Sequence, residues 1–470
     1  MKKPPPYFPP IIVPALVAVA GLLALAVWLS AGSIAPLQKR VPGLDRPEAV
    51  EGTSSVTMPE AGRLTAGDGK PADLPGSWPR FRGKGFDNIG QPGVPLARQW
   101  PPGGPKALWS VDLGEGHAGP IVQDGRVYLL DYDRENSADA LRCLSLADGR
   151  EIWRYSYPVA IKRNHGMSRT VPAISGSCVV ALGPRCHVTC LDAASGQRKW
   201  MIDLVRQYGT TVPPWYAGQC PLVDRDRVIL APGGKDALLL AVDLATGKPV
   251  WKTPNPRAWK MTHSSIMPTD FRGRRMFVYC ASDGVVGVWA EDGSILWETT
   301  EWKISIATVP SPLCLPEGKI FFSGGYNSGA LLVQLEERGG AFTPRTLLRL
   351  KPGQFGSTQH TPIFFEGSIY GVRDKDKELV CLDLSGKELW QSGPERRFGL
   401  GPYLIADGLV YVMSDDGVLT MAEASPKGYK QLGRAQVLDG HDAWGPMAMA
   451  GGRLLVRDLT RMVCLDVSKK

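Results

Sequence analysis

The chain has no run of lysines or arginines. Its 54 basic and 46 acidic residues leave a net charge of +8 over 470 residues, and the positive ones are scattered. A nucleic-acid binder gathers them on one patch or in a recognisable module, so DNA and RNA are not expected partners. No phosphate-cradling glycine loop, Ser-His-Asp ordering or metal-ligand spacing is present, and hydrolase activity has no positive support. Histidine is scarce, with six in the chain, and no cysteine sits just after the N-terminal apolar run, which argues against a lipid-modified N-terminus.

Glycine (54) and proline (40) are plentiful, which suits a fold that turns every few residues. The length would ordinarily suggest about three domains of ~150 residues, but closed β folds often exceed that size.

Residues 11–31 contain no charge, and Lys2 and Lys3 precede them. That length can span a bilayer, and the positive-inside rule puts residues 1–10 in the cytoplasm and the rest outside. The rival is a cleaved signal peptide. Its cut would fall after Ser33-Ile34-Ala35, where Pro36 blocks it. The reading taken is an uncleaved, single-pass anchor in an inner (cytoplasmic) membrane. Residues 36–77 are rich in Pro, Gly, Glu, Ala and Ser without hydrophobic periodicity, and read as a disordered tether. Residues 78–107 lead into the folded part, 108–470.

That part repeats itself. The clearest copy is Ala241-Val-Asp243-Leu-Ala-Thr246-Gly247-Lys248-Pro-Val-Trp251, with relatives from Cys143 to Trp153, Cys190 to Trp200, Gly287 to Trp297 and Cys381 to Trp390. Degenerate copies lie at Val333 and Thr420, and the last stops at Cys464-Leu465-Asp466. Each copy reads as a strand, an Asp, a polar-Gly turn and a second strand ending in Trp. A further strand pair precedes each, as in residues 119–130, 361–370 and 401–412. Eight four-stranded units at a spacing of 39 to 51 residues predict an all-β, eight-bladed propeller. The final unit ends at its third strand, and residues 108–113 are an unmatched strand before the first unit. This segment is expected to complete blade eight and close the ring.

The motif Ala241-x-Asp243-x-x-Thr246-Gly247-Lys248-x-x-Trp251 resembles the tryptophan-docking repeat of pyrroloquinoline-quinone (PQQ) type propellers, over residues 108–470. Trp78-Pro-Arg-Phe-Arg-Gly83 is similar to a motif that opens exported bacterial PQQ-like propellers. Quinoprotein alcohol dehydrogenases share the fold. The resemblance implies for them PQQ and calcium on the axis and a disulfide between adjacent cysteines. Here no two cysteines are adjacent, and no calcium ligand or catalytic Asp can be carried over. A second relative by fold is the propeller lipoprotein of the outer-membrane β-barrel assembly machinery, a scaffold. The reading taken is a non-enzymatic, membrane-tethered scaffold that binds a protein or other envelope component in the periplasm. The alternative is a quinoprotein oxidoreductase with PQQ at the channel mouth.

Five of the six histidines, His117, His165, His263, His360 and His441, lie just before the first strand of a blade; His187 follows a turn. First strands line the channel, so these residues should gather at one mouth. Arg169, Trp215, Tyr216, Lys260 and Trp444 occupy similar segments, and together they would form a cationic, aromatic funnel for an acidic or quinone ligand. The competing reading is strand capping and channel water. Five histidines from five blades do not make one compact metal site. Of nine cysteines, Cys143, Cys190, Cys381 and Cys464 share the third-strand position, and Cys178, Cys220, Cys280 and Cys314 fall in predicted strands, as small buried hydrophobes do. Cys186 sits at a turn. Counting from the turn at Pro184 places Cys178 and Cys190 roughly opposite each other, so a cross-strand disulfide is an option there.

Overall fold

The computed structural model describes residues 12–30 and 62–469, in two units divided after Gly52. The first unit holds one helix, α1 (Ile12–Ser30), 19 residues without a charge. Among the described residues no helix is long and apolar enough to cross a membrane, so the expected transmembrane helix is not supported. The expected cytoplasmic residues 1–10 lie outside the described residues.

The second unit is an eight-bladed β-propeller. Its described strands form eight sheets, six of four strands and two of five. Blade four shows the plan: Met267–Phe271, Arg274–Cys280, Val285–Trp289 and Ile295–Thr299 run antiparallel from the channel outward. Closure follows the sequence expectation. The strand Lys106–Asp112 is the outermost of blade eight and pairs with Arg461–Asp466, setting Trp109 opposite Cys464. One blade thus joins both ends of the repeat region, and no open edge remains between first and last blades.

The repeat is also a register. Cys143, Cys190, Ala241, Gly287 and Cys381 sit opposite Trp153, Trp200, Trp251, Trp297 and Trp390, and a bulge follows each. The bulge re-aims the strand, and Trp153, Trp200, Trp251 and Trp390 dock on the turn of the next blade, whereas Trp297 turns its indole N–H to Met276 Sδ of its own blade. Trp200 donates its indole N–H to Leu244 O at 2.9 Å. A Cβ on Gly247 (φ +70°) would stand 2.7 Å from the Trp200 ring, so this position excludes every other residue on both counts. Trp109, Trp153 and Trp251 donate in the same way to Leu146, Ala193 and Ala290. The fifth blade departs from this plan. Its outer strands, Gly329–Arg338 and Ala341–Leu350, are ten residues each, and Leu348 and Leu350 take the place of the Trp against Gly386. Apolar side chains fill the spaces between blades, as where Leu222 and Ile229 of blade three meet Phe277 and Tyr279 of blade four.

Part of the expected tether is ordered. Residues 36–61 lie outside the described residues, but Arg63–Ala66 forms a fifth strand on blade one, Leu64 opposite Tyr155. Unpaired backbone groups on an outer strand are a template for any extended segment, and hydrophobic periodicity does not report that drive. The chain then crosses the turns of blade one, with Ala72 N bonded to Gly125 O, and reaches the channel.

Candidate functional site

The repeat aspartates come first, because their spacing is the loudest signal in the chain. Asp243 accepts from Thr246 N at 2.8 Å and Thr246 Oγ1 at 2.6 Å. These bonds hold its carboxyl below the usual range. Asp192 and Asp383 make the same bonds to Ser195 and Ser385. They are turn residues. Asp243→Ala is expected to lose about 0.5–2 kcal/mol in chemical denaturation, with no change in the binding of anything at the mouth.

Loops leading into the eight innermost strands meet at one end of the channel, and the turns leaving those strands meet at the other. The turn-side end is occupied by the chain itself. Trp78 bridges to Val122 of blade one, Pro79 O accepts from Ile174 N of blade two, and Arg80 Nη1 donates to Val223 O of blade three. Ile89 and Gly90 pair in parallel with Ile405 and Ala406 of blade seven. At the centre Arg82, 3% exposed, donates to the carbonyls of Phe86, Asp87, Thr361 and Pro362. Burial lowers its guanidinium to about 10. The segment expected only to lead into the propeller is thus a plug.

Above it, residues at the start of neighbouring blades are tied by one kind of bond. Val171 N donates to Cys220 Sγ, Cys220 N to Ser265 Oγ, Ser265 N to Ser311 Oγ and Ser311 N to Thr361 Oγ1. Cys220 precedes its strand (Leu222–Asp224) and acts as a hydrogen-bond acceptor, not as the strand hydrophobe expected from sequence. Cys178 stands opposite Asp192 and Val180 opposite Cys190, so the two cysteines are not directly opposite, as counting from the turn suggested.

The structure brings several expected mouth residues into one arc. The His117 ring stacks on Trp444, 5.1 Å between centroids, and its Nε2 lies 3.1 Å from His165 O. Arg169 donates to the carbonyls of Trp215, Asn164 and His165. Trp215 lies 6.0 Å from the His263 ring, which is close against Gly218, where a Cβ would stand 2.3 Å from Cδ2. His360 faces Tyr403 edge-on, at 6.0 Å. It also lines a small cavity with Ser357, Thr358, Asp374 and Leu400. The other expected residues stay outside the arc. The His165 ring and Lys260 are exposed, His441 is exposed beside Asp442, and Tyr216 Oη donates to Lys162 O. His187 lies in blade two, 3.8 Å from Asp203.

Electrostatically the arc is not the expected cationic funnel. Burial first, then the charge of Arg169, lowers His117 to about 3 and His263 to about 4. Burial lowers His360 to about 4. All three rings are neutral at pH 7. The nitrogen of His117 that faces a carbonyl carries its proton, which leaves Nδ1 buried without a hydrogen-bond partner; His263 Nε2 and His360 Nε2 are in the same state. Sequence reasoning missed two buried cations. Arg82 was visible within Trp78-Pro-Arg-Phe-Arg-Gly83. Arg457, 2% exposed and bonded to the carbonyls of Ala118, Asp458 and Leu459, sits in a strand with no motif around it.

A family model described as outer membrane protein assembly factor BamB matches residues 103–211 and 137–386, more than half of the chain. The chain belongs to this PQQ-like propeller family. Its fold is similar to that of BamB from Moraxella catarrhalis, at 14% identity over 77% of this chain and 99% of that one, TM-score 0.52. A europium-containing methanol dehydrogenase is similar at 13% identity over 82% of this chain and 89% of that one, TM-score 0.57. At such identities the likeness is one of fold alone. Among curated proteins, serine/threonine-protein kinase AfsK of Streptomyces griseus is 32% identical over 162 residues, covering 33% of this chain and 18% of that protein. The matched stretch therefore spans less than a fifth of that relative's length.

Proposed function

We propose that this PQQ-like propeller is a non-enzymatic binding scaffold of the cell envelope. In this reading its N-terminal segment fixes it to the inner membrane, and it engages a protein or other envelope component on the periplasmic side. The observation that carries the reading is the closed end of the channel. Residues 78–90 close its turn-side end, and Arg82 is bonded there to four carbonyls. The uncharged stretch 11–31 behind Lys2 and Lys3 supports the tether.

The residues at the mouth do not fit PQQ, an acidic quinone that needs cations free to meet its carboxylates. Arg169 is bonded to backbone carbonyls, and His117, His263 and His360 are neutral. Calorimetric and absorbance titration of the full chain with PQQ and calcium is expected to give no saturable signal. Saturation at one quinone per chain, abolished by His263→Gln with His360→Gln, would replace the scaffold reading with the oxidoreductase. Intact-mass measurement of the mature protein tests the tether. Residues 1–35 should be retained, and an N-terminus near Pro36 would defeat the anchor.

A further inference from the structure

Blade seven lacks the residue that docks its neighbours. Its outer strand, Gln431–Gln436, pairs with Val418–Glu423, and Met421 stands opposite Gly433 with a bulge after it. Cys190 stands opposite Trp200 in the same way. Gly433 therefore holds the register position of the docking Trp and brings no side chain. A Trp is there nonetheless. A Cβ on Gly433 would stand 2.8 Å from the Trp100 ring, and that ring lies 6.4 Å from Tyr411, which is opposite Met421. Tyr128 and Tyr370, opposite Cys143 and Cys381, meet Trp153 and Trp390 at 5.9 Å. Trp100 thus has the place and the aromatic neighbour of a blade's own Trp, although it precedes the first blade in sequence.

The residues around Trp100 are fixed to blades seven and eight. Leu96, 1% exposed, donates its N–H to Asp407 Oδ2 at 3.1 Å and bridges to Ser468. Ala97 N donates to Val467 O at 2.9 Å, and Lys469 N to Pro95 O at 2.8 Å. A Cβ on Gly104 would stand 2.3 Å from Ala435 Cβ, so the segment also lies close against the outer strand of blade seven. Trp200 donates to the carbonyl of Leu244, the residue after the repeat Asp243. The matching carbonyl for Trp100 is that of Val467, after Asp466, and Ala97 N already holds it. Trp100 Nε1 is buried without a hydrogen-bond partner. We propose that residues 95–104 form a strap, a conformational device that completes blade seven when closed and lifts from it without unfolding the blade.

Connectivity is the reason. Trp153, Trp200, Trp251 and Trp390 belong to the outer strands of their own blades and can leave their seats only if those strands are stripped. Trp100 is in no strand, and the four strands of blade seven pair without it. Opening the strap gives up the burial of Leu96 and Trp100, the hydrogen bonds of Leu96, Ala97 and Lys469, and the exposed Arg98–Asp407 ion pair. It breaks no ladder of a blade, so it is a local opening rather than a global one. The unmet indole N–H makes opening easier, because the group gains water when it leaves.

Trp100→Ala, Gly433→Trp and the double variant test the strap in the full chain. Gly433 has no positive φ, so its backbone accepts a Trp. Gly433→Trp puts the docking residue on the blade's own strand, in the space that Trp100 holds, and should drive the strap out. Trypsin cleavage after Arg98 should then rise by roughly tenfold or more, with the urea midpoint kept. Trp100→Ala should lower the midpoint and open Arg98 to trypsin. The double variant should recover the midpoint with Arg98 still cut. In the wild type, the amides of Leu96, Ala97 and Lys469 should exchange together and ahead of those of Val410 and Val412, by about tenfold or more. A double variant less stable than Trp100→Ala would mean that position 433 is not a docking seat. Strap amides that exchange only along with Val410 and Val412 would mean that the strap does not lift. Either result overturns the proposal.

Discussion

Acidification from pH 6.5 towards 4 is expected to destabilise the propeller steeply, because its channel mouth holds imidazoles that cannot take a proton while folded. His263 and His360 are lowered by burial to about 4, and His117 to about 3. Unfolded, each titrates near 6.5. Their stabilisation is fully present above pH 6.5 and is lost as the pH falls through the window to the folded value. In that window the unfolded chain binds protons that the folded one does not. Each ring contributes a fall of roughly 1.4 kcal/mol per pH unit. Asp139 opposes them. Burial pushes its carboxyl up to about 7, so it gives its stabilisation below the unfolded carboxylate range and loses it as the pH rises towards 7. Three imidazoles outweigh one carboxyl, and the net slope is a loss on acidification. Denaturant midpoints at pH 7.5, 6, 5 and 4.5 measure it. His263→Gln with His360→Gln should flatten the profile by about two of these contributions. A flat wild-type profile, or a double variant with the wild-type slope, would show that the rings are solvated.

Loss of the Arg82 side chain should be as damaging. Its guanidinium joins residues 86 and 87 of the plug to residues 361 and 362 of blade six through four carbonyls. Arg82→Met leaves those carbonyls facing each other in the channel, and about 3–5 kcal/mol is expected to be lost, as for other buried charge networks that lose one member. Arg82→Lys should recover little, since a point charge cannot reach carbonyls on both sides at once. Urea denaturation gives the magnitude, and limited proteolysis within residues 78–90 reports whether the plug has left the channel. A loss under about 1 kcal/mol with the segment still protected would mean that the strand pairing of Ile89 and Gly90 holds the plug without Arg82.

Repetition made the propeller legible. A turn needing Gly247, an Asp that bonds its own backbone and a Trp eight residues on are local requirements, and local requirements are written in local sequence. Eight copies and one unmatched strand, read at residues 108–113 and found at Lys106–Asp112, then decided the ring and its closure. The third-strand positions proved to be the register itself, because the residue opposite each Trp must be small.

The channel could not be read the same way. His117, Arg169, His263 and His360 were found from their places before first strands, and an arc of them does form. Their charge was misjudged, because the pKa of an imidazole depends on how much water its neighbours exclude. Those neighbours, Trp444, Trp215 and Gly218, lie up to hundreds of residues away along the chain. Residues 63–90 carry too little periodicity to announce a strand and a plug. Their order comes from pairing with backbone groups of blades one, six and seven, which exist only once the ring has closed. Sequence by itself determined the eight blades and the Trp docking, because both repeat within a few tens of residues. Tertiary structure alone decided what closes the channel's turn-side end and which buried groups carry charge, because both depend on groups that the closed ring brings together.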